Sequence, residues 1–155
     1  MSTILIALSN WVHVLATIVM IGYYLFTGLI YLPIFERQLQ PNALRDLLER
    51  ASARLRPYFG GSLLVFLVTG TYLTLINEDY NGLGHFFANP WSILIVVKHV
   101  LVLAFLALAM VSERAFLGKI NDQRPMALVQ FLWALNINTI LGVVILLLTS
   151  IAQAI

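Results

Sequence analysis

The sequence predicts an all-α, polytopic membrane protein, built as an up-down bundle of four transmembrane helices with both termini on the outer side. Three features carry this prediction: composition, long apolar segments and the distribution of basic residues. Hydrophobic residues make up 61% of the 155 residues and charged residues only 10%, and the mean hydropathy is +0.92. A soluble domain carries about 45–50% apolar and about 25% charged residues, so most of this chain needs lipid as its solvent.

Four apolar segments are each long enough to cross a hydrocarbon core of about 30 Å, which takes about 20 residues. A backbone in lipid must satisfy its own hydrogen bonds, so each segment is predicted to be a helix. Pro33 is expected to close the first helix, whereas Pro57 and Pro90 are expected to open the second and third, where a missing N–H costs nothing. The chain is thus predicted to form one domain over residues 1–155, with spans at about 4–32, 57–76, 90–111 and 126–155.

Basic residues are concentrated in two of the connections between these segments. Eight of the nine Lys and Arg residues lie there, whereas the second connection and both termini have none. By the positive-inside rule the two basic connections are cytoplasmic and both termini lie outside. The pattern predicts a multi-pass protein of the cell (inner) membrane. The eight residues are Arg37, Arg45, Arg50, Arg54 and Arg56 in the first connection, and Arg114, Lys119 and Arg124 in the third.

The first connection is itself patterned as an amphipathic helix at about residues 42–56. Leu44, Leu47, Leu48, Ala51 and Leu55 recur at helical spacing, with charged residues between them. This pattern is typical of a helix that lies on the cytoplasmic membrane surface, and a docking site for a soluble partner is the alternative.

Two classes of function are disfavoured by composition. The chain has no cysteine, which excludes disulfides, thiolate metal sites and haem attached through cysteine. The net charge is only +2, which gives no reason to expect nucleic acid as a partner.

His13 and His99 lie inside predicted spans, where ionisable residues are rare and usually functional. His13 comes nine residues after Ile4, and His99 comes nine residues after Pro90, so each lies about 13 Å below the outer boundary. Two imidazoles at one depth on different helices are suited to be the two axial ligands of a b-type haem iron. The alternative is that each histidine bonds to a neighbouring helix.

Three further residues are candidates for contact with such a haem. Lys98 lies next to His99 on the third predicted helix. The predicted spans contain no Asp or Glu, so a haem propionate or a substrate anion would balance the charge of Lys98. Gly70 and Gly142 are expected near the histidine depth, where a glycine lets the backbone approach a flat macrocycle. Ordinary packing between helices is the alternative reading of both glycines.

The chain resembles the copper-resistance D (CopD) group of bacterial four-helix membrane units and, more distantly, the HemJ-type protoporphyrinogen oxidases. The resemblance covers all four spans in pattern. It is carried by "WVHVLATIVMIGYY" in the first helix and by "PWSILIVVKHVLVLAFLALAMVSER" in the third, with a Lys in mid-span and an Arg at the cytoplasmic end. These positions are Lys98 and Arg114. The HemJ-type resemblance implies haem binding for His13. The CopD resemblance implies copper transport, but the four methionines are scattered and form no copper-binding cluster.

Four functions therefore stay open at this point. The first is a haem b protein that carries electrons, linked to quinone, to an outer-face electron-transfer protein, or to other membrane subunits or copies in a larger complex. The second is an enzyme that oxidises a porphyrinogen, and the third is a copper transporter. The fourth is a structural anchor subunit. The sequence does not decide whether the protein is an enzyme.

Overall fold

The protein is all-helical in a computed structural model that describes residues 3–82, 84–85, 87–120 and 125–154, and these ranges contain no strand. Four of its helical stretches are long and apolar enough to cross a membrane, as predicted. In chain order the elements are α1 (Thr3–Phe26), a π-helix (Thr27–Tyr31), α2 (Leu32–Phe35), α3 (Pro41–Leu75), α4 (Pro90–Val111), a second π-helix (Ser112–Phe116), a 3₁₀ turn (Leu117–Lys119) and α5 (Pro125–Ala152).

The start of α4 follows from its local sequence. Asn89 is extended, and its side-chain oxygen accepts a hydrogen bond of 2.7 Å from the backbone N–H of Ser92. Pro90 occupies the first turn, where its missing N–H removes no helical bond. Helix α4 runs from Pro90 to Val111, the bounds that the sequence predicted for the third span.

The prediction that a separate helix begins at Pro57 is wrong. Pro57 lies inside α3, and the expected amphipathic helix is the first half of that single element. Leu44 and Leu48 on its apolar face are buried in the core together with Leu117. Because packing already holds these residues in helical conformation, the loss of one hydrogen bond at Pro57, about 3 kcal/mol in a helix interior, does not break the helix. The apolar face thus packs on protein rather than lying wholly on the membrane surface.

The helix that begins as α1 also continues through Pro33, which was expected to end it. The π-helix at Thr27–Tyr31 comes directly before this proline, and the Leu32 N–H bonds to the carbonyl of Thr27, five residues earlier. A wider π turn leaves room for the proline ring, which would otherwise clash with the carbonyl four residues before it. The first helical stretch therefore runs without a break from Thr3 to Phe35.

The four long helices pack in the spatial order α3, α1, α5, α4. Helix α1 packs along α3 on one side and along α5 on the other, and α4 packs along α5. Across the described ranges, α3 and α4 do not pack along one another, so a gap runs between them. The half of the bundle next to the two connections rich in Lys and Arg is called the basic half. There the ring of Tyr24 on α1 makes edge contacts with Phe59 of α3 at 6.3 Å and with Phe105 of α4 at 5.0 Å, and so joins three helices.

Two glycines, Gly28 of the first π-helix and Gly142 of α5, allow the first helical stretch and α5 to approach closely. A Cβ on Gly28 would lie 3.0 Å from the Thr139 hydroxyl oxygen, and a Cβ on Gly142 would lie 2.7 Å from Cγ2 of Ile21. The Thr139 hydroxyl donates a hydrogen bond of 3.2 Å to the carbonyl of Tyr24. Small residues at this interface let the helices come close enough for that bond, as in many membrane bundles.

We expect Gly142→Ala to destabilise the bundle by about 1–3 kcal/mol, because its new methyl group overlaps the side chain of buried Ile21. Thermal unfolding in detergent measures the effect. Gly22→Ala is the matched control, since a Cβ there meets no described atom within 4 Å. Adding Ile21→Ala should relieve the overlap, and equal stability of the Gly142→Ala and Gly22→Ala proteins would contradict this account.

Orientation remains a prediction that rests on the basic connections, with both termini outside. The chain has no natural cysteine, so single cysteines at exposed Ala53 and Asn81 can report on the two ends of the bundle. A membrane-impermeant thiol reagent should label Asn81→Cys and not Ala53→Cys in intact cells. Labelling of Ala53→Cys alone would reverse the orientation.

Candidate functional site

His13 on α1 is held by a hydrogen bond to Thr69 on α3. Its Nδ1 lies 2.9 Å from the Thr69 hydroxyl oxygen, and this hydroxyl donates its only proton to the carbonyl of Val65 at 2.7 Å. The Thr69 oxygen must therefore accept, so Nδ1 of His13 carries the hydrogen. The lone pair of the imidazole is then on Nε2, which is the form in which histidine binds a metal or accepts a proton.

Two more residues of α3 fix the plane of the His13 ring. Phe66 stacks on it with the ring centroids 4.5 Å apart and an angle of 22° between the planes. Gly70 lies against its edge, and a Cβ there would be 3.0 Å from Cε1 of His13. Gly70 was predicted near the histidine depth, and the structure brings it directly against His13. The glycine gives the imidazole its space beside α3.

His99 on α4 has the same protonation pattern but no partner on another helix in the described part of the chain. Its Nδ1 lies 2.7 Å from the carbonyl of Ile95, one turn earlier in α4. A carbonyl can only accept, so Nδ1 carries the hydrogen and Nε2 carries the lone pair. His99 is exposed, and at 100° per residue it shares a face of α4 with Leu106 and Met110, which line the gap between α3 and α4.

The depths of the two histidines differ by about one helical turn. Ser52 of α3 donates a hydrogen bond to Glu113 of α4, which sets the register of these antiparallel helices. Thr69, the partner of His13, lies seventeen residues beyond Ser52 on α3. On the antiparallel α4 the same level is reached seventeen residues before Glu113, at Val96. His99 lies three residues from that level, about 4.5 Å along the helix axis. By this count the two imidazoles are offset by about one helical turn, whereas counting from the span starts predicted that they are level.

Lys98 lies on the inward stripe of α4, one and two turns before buried Val102 and Phe105. Both Lys98 and His99 are close enough to His13 to interact with it electrostatically. In the described ranges, Lys98 forms no ion pair, since the ion pairs found there are Arg45–Glu49 and Arg56–Glu113. The structure thus brings a positive charge without a carboxylate beside the histidine pair.

Gly142 is placed away from these residues. It lies against Ile21, eight residues beyond His13 along α1, which corresponds to about 12 Å. Gly142 lies there because of the register in which α1 packs on α5, and the sequence did not indicate that register. Helix packing therefore accounts for this glycine.

A second polar group, at the basic end of the gap, was missed by the sequence analysis. The helix that begins as α4 continues through the π-helix, so Glu113 belongs to the same helical stretch although the predicted span ended at Val111. The Glu113 carboxylate accepts a hydrogen bond of 2.6 Å from Ser52 and lies 3.7 Å from Arg56. The signal in the sequence was the polar triplet "SER" at the end of an apolar run, which is equally typical of the start of a loop.

Comparison with known proteins identifies the family. No curated protein and no solved structure matches the chain. Within the described ranges no group of three or more His, Cys, Asp or Glu side chains is arranged to hold a metal ion. One family, described as copper resistance protein D (CopD), matches residues 49–152, which include α4, α5 and most of α3. That range is well over half of the chain, and the chain therefore belongs to the CopD family.

Proposed function

We propose that the protein is a membrane electron carrier that binds haem b through His13 and His99. The observation that carries the proposal is that both imidazoles commit Nδ1–H to a hydrogen bond and leave the Nε2 lone pair available. This is the usual arrangement of a metal-bound histidine, whose second nitrogen donates to a carbonyl or another acceptor. Bound haem would supply one-electron oxidation and reduction within the membrane.

The packing of the helices supports the same proposal. Two helices in direct contact lie 8–10 Å apart, which leaves no room for a macrocycle between them. Across the described ranges α1 and α4 do not pack along one another, although Tyr24 of α1 contacts Phe105 of α4 eleven residues beyond His13. Thr69, Phe66 and Gly70 hold His13 in one orientation. Lys98 would supply a positive charge for the haem propionates.

The proposal includes a place in an electron-transfer chain in the cell (inner) membrane. A redox group below the outer surface is within reach of a membrane quinone, an outer-face carrier protein, or another subunit of a larger complex. Oxidation of a porphyrinogen is the enzymatic version of the same proposal. Turnover of protoporphyrinogen by the purified haem protein would favour the enzyme over the carrier.

Copper transport is the second candidate, and the observation that favours it is the family match. Imidazole is a good ligand for copper, and two Nε2 lone pairs near one depth provide two ligands. The methionines of the chain supply no further cluster, since Met1, Met20, Met110 and Met126 are far apart in the sequence. Copper would then be the transported substrate rather than a resident cofactor.

An absorption spectrum of the purified protein tests the proposed function. A sharp α-band after reduction with dithionite is expected for the wild type. His13→Ala and His99→Ala should each remove or alter this band, because each removes one axial ligand. His85→Ala is the control and should leave the spectrum unchanged, since His85 lies in the connection between α3 and α4 and not on a helix. A wild-type spectrum in both His13→Ala and His99→Ala would overturn the assignment.

Thr69→Val tests the hydrogen bond behind His13 and should weaken haem retention about 10–100-fold, the usual cost of losing such a partner. Thr74→Val is the matched control, because its hydroxyl donates to the carbonyl of Gly70, one turn earlier in the same helix. Haem titration of apo-protein measures both variants. Equal affinity in the two would show that Thr69 does not orient the ligand.

Metal analysis separates the two candidate functions. Wild-type protein that is purified without chelators should contain iron. The ratio of iron to protein should be lower in His13→Ala. Copper in place of iron, lost from both histidine variants and with no haem absorption, would favour copper transport and refute the haem proposal.

A further inference from the structure

The gap between α3 and α4 widens into a cleft in the basic half of the bundle. Its volume is about 610 Å³, within the range of about 300–1,000 Å³ that is usual for sites of small ligands. Helix α1 forms its floor with Tyr23 and Tyr24, and the sides come from α3 and α4. Neither His13 nor His99 lines it. The cleft is therefore separate from the histidine pair, and its role goes beyond the proposed function.

The walls of the cleft are mainly apolar and aromatic. Tyr58 and Phe59 lie on the α3 side, with Leu106 and Met110 facing them on the α4 side. Tyr58 and Met110 are both exposed. Because α3 and α4 do not pack along one another in the described ranges, the apolar part of the cleft opens sideways between two membrane helices. A ligand with a hydrocarbon chain can enter it from the bilayer.

The end of the cleft nearest the basic connections is positively charged. Arg56 and Arg114 both line it and are both exposed, and the carboxylate between them is Glu113. The nearby Glu49 is bound by Arg45 at 2.9 Å and so adds no free negative charge. Among the described residues that line the cleft, two arginines stand against one glutamate, which is an excess of one positive charge.

These features together describe a site for one kind of molecule. A hydrocarbon chain fits the lateral apolar part, and an anionic group fits the end that carries the arginines. Basic pockets between transmembrane helices bind the head groups of anionic lipids, and guanidinium groups match the geometry of phosphate oxygens. A soluble anion would gain nothing from the aromatic walls, whereas a neutral lipid would leave the positive charge unbalanced.

We propose that the cleft between α3 and α4 binds an anionic phospholipid, with the phosphate at Arg56 and Arg114 and an acyl chain between Phe59, Leu106 and Met110. The lipid fills the space that α3 and α4 leave open and completes the basic half of the bundle. It is a specific ligand of the protein rather than part of the bulk bilayer.

Native mass spectrometry of the full chain in a neutral detergent tests this proposal. Phosphatidylglycerol and phosphatidylcholine with the same acyl chains are titrated separately, and inorganic phosphate is a third arm. We expect one phosphatidylglycerol to remain bound with about tenfold higher affinity than phosphatidylcholine, the preference that attraction of one or two arginines supplies. Inorganic phosphate should not displace it.

The Arg56→Gln/Arg114→Gln variant should lose this preference for phosphatidylglycerol. Arg37→Gln/Arg54→Gln is the matched control, because it removes the same charge from the same end of the bundle at two residues that do not line the cleft. The control should bind as the wild type does. Arg56→Lys/Arg114→Lys should keep most of the preference, since lysine retains the charge but not the planar geometry.

Met110→Trp provides a second test if the arginine variant does not fold. It narrows the apolar part of the cleft and should weaken binding of phosphatidylglycerol while helix content by circular dichroism stays unchanged. Equal losses in the control and the arginine variant would mean general surface attraction and would overturn the proposal. Equal binding of both lipids to the wild type, or displacement by inorganic phosphate, would overturn it as well.

Discussion

The contacts of α1 with its two neighbours determine the rest of the architecture. On one side, the hydrogen bond from His13 to Thr69 and the space left by Gly70 hold α1 against α3. On the other side, Gly28 and Gly142 let α1 approach α5 closely enough for Thr139 to bond to the backbone of Tyr24. Since lipid offers little hydrophobic drive for helices to associate, such polar and small-residue contacts must set the order of the helices. Helix α4 then packs on α5, and the gap between α3 and α4 follows.

The fold class and one helix could be predicted closely from the sequence, because their causes are local. Asn89 caps α4 and Pro90 starts it, and neither effect depends on the rest of the fold. Pro33 and Pro57 misled the prediction for the opposite reason. A π turn makes room for Pro33, and packing around Leu44 and Leu48 holds the helix on both sides of Pro57. Both effects arise from contacts that sequence periodicity does not contain.

In the candidate site too, the features with local causes could be predicted and those that depend on contacts between helices could not. Counting residues along two parallel helices could predict that His13 and His99 lie within about one helical turn of each other in depth. The partner of His13 could not, because it depends on how α1 and α3 are rotated about their axes. The same limit applies to Gly142, whose position opposite Ile21 depends on the register of α5. Glu113 was missed because the helix continues as a π-helix beyond the end of the apolar run.

The two π-helices have a consequence for how this chain tolerates changes in length. Each lies at the basic end of a transmembrane helix and fits one more residue into its turn than an α-helix would. A deletion of one residue within 112–116 could therefore be absorbed by conversion to regular α-helix, without breaking the helix. The apolar body of α4 would keep its phase on α5, and the side chains beyond the π turn would keep their direction as well, because the residue removed is the extra one that the π turn holds. The loss of one residue at this point would therefore leave the packing of the membrane-spanning helices and the direction of the groups on either side of the π turn unchanged.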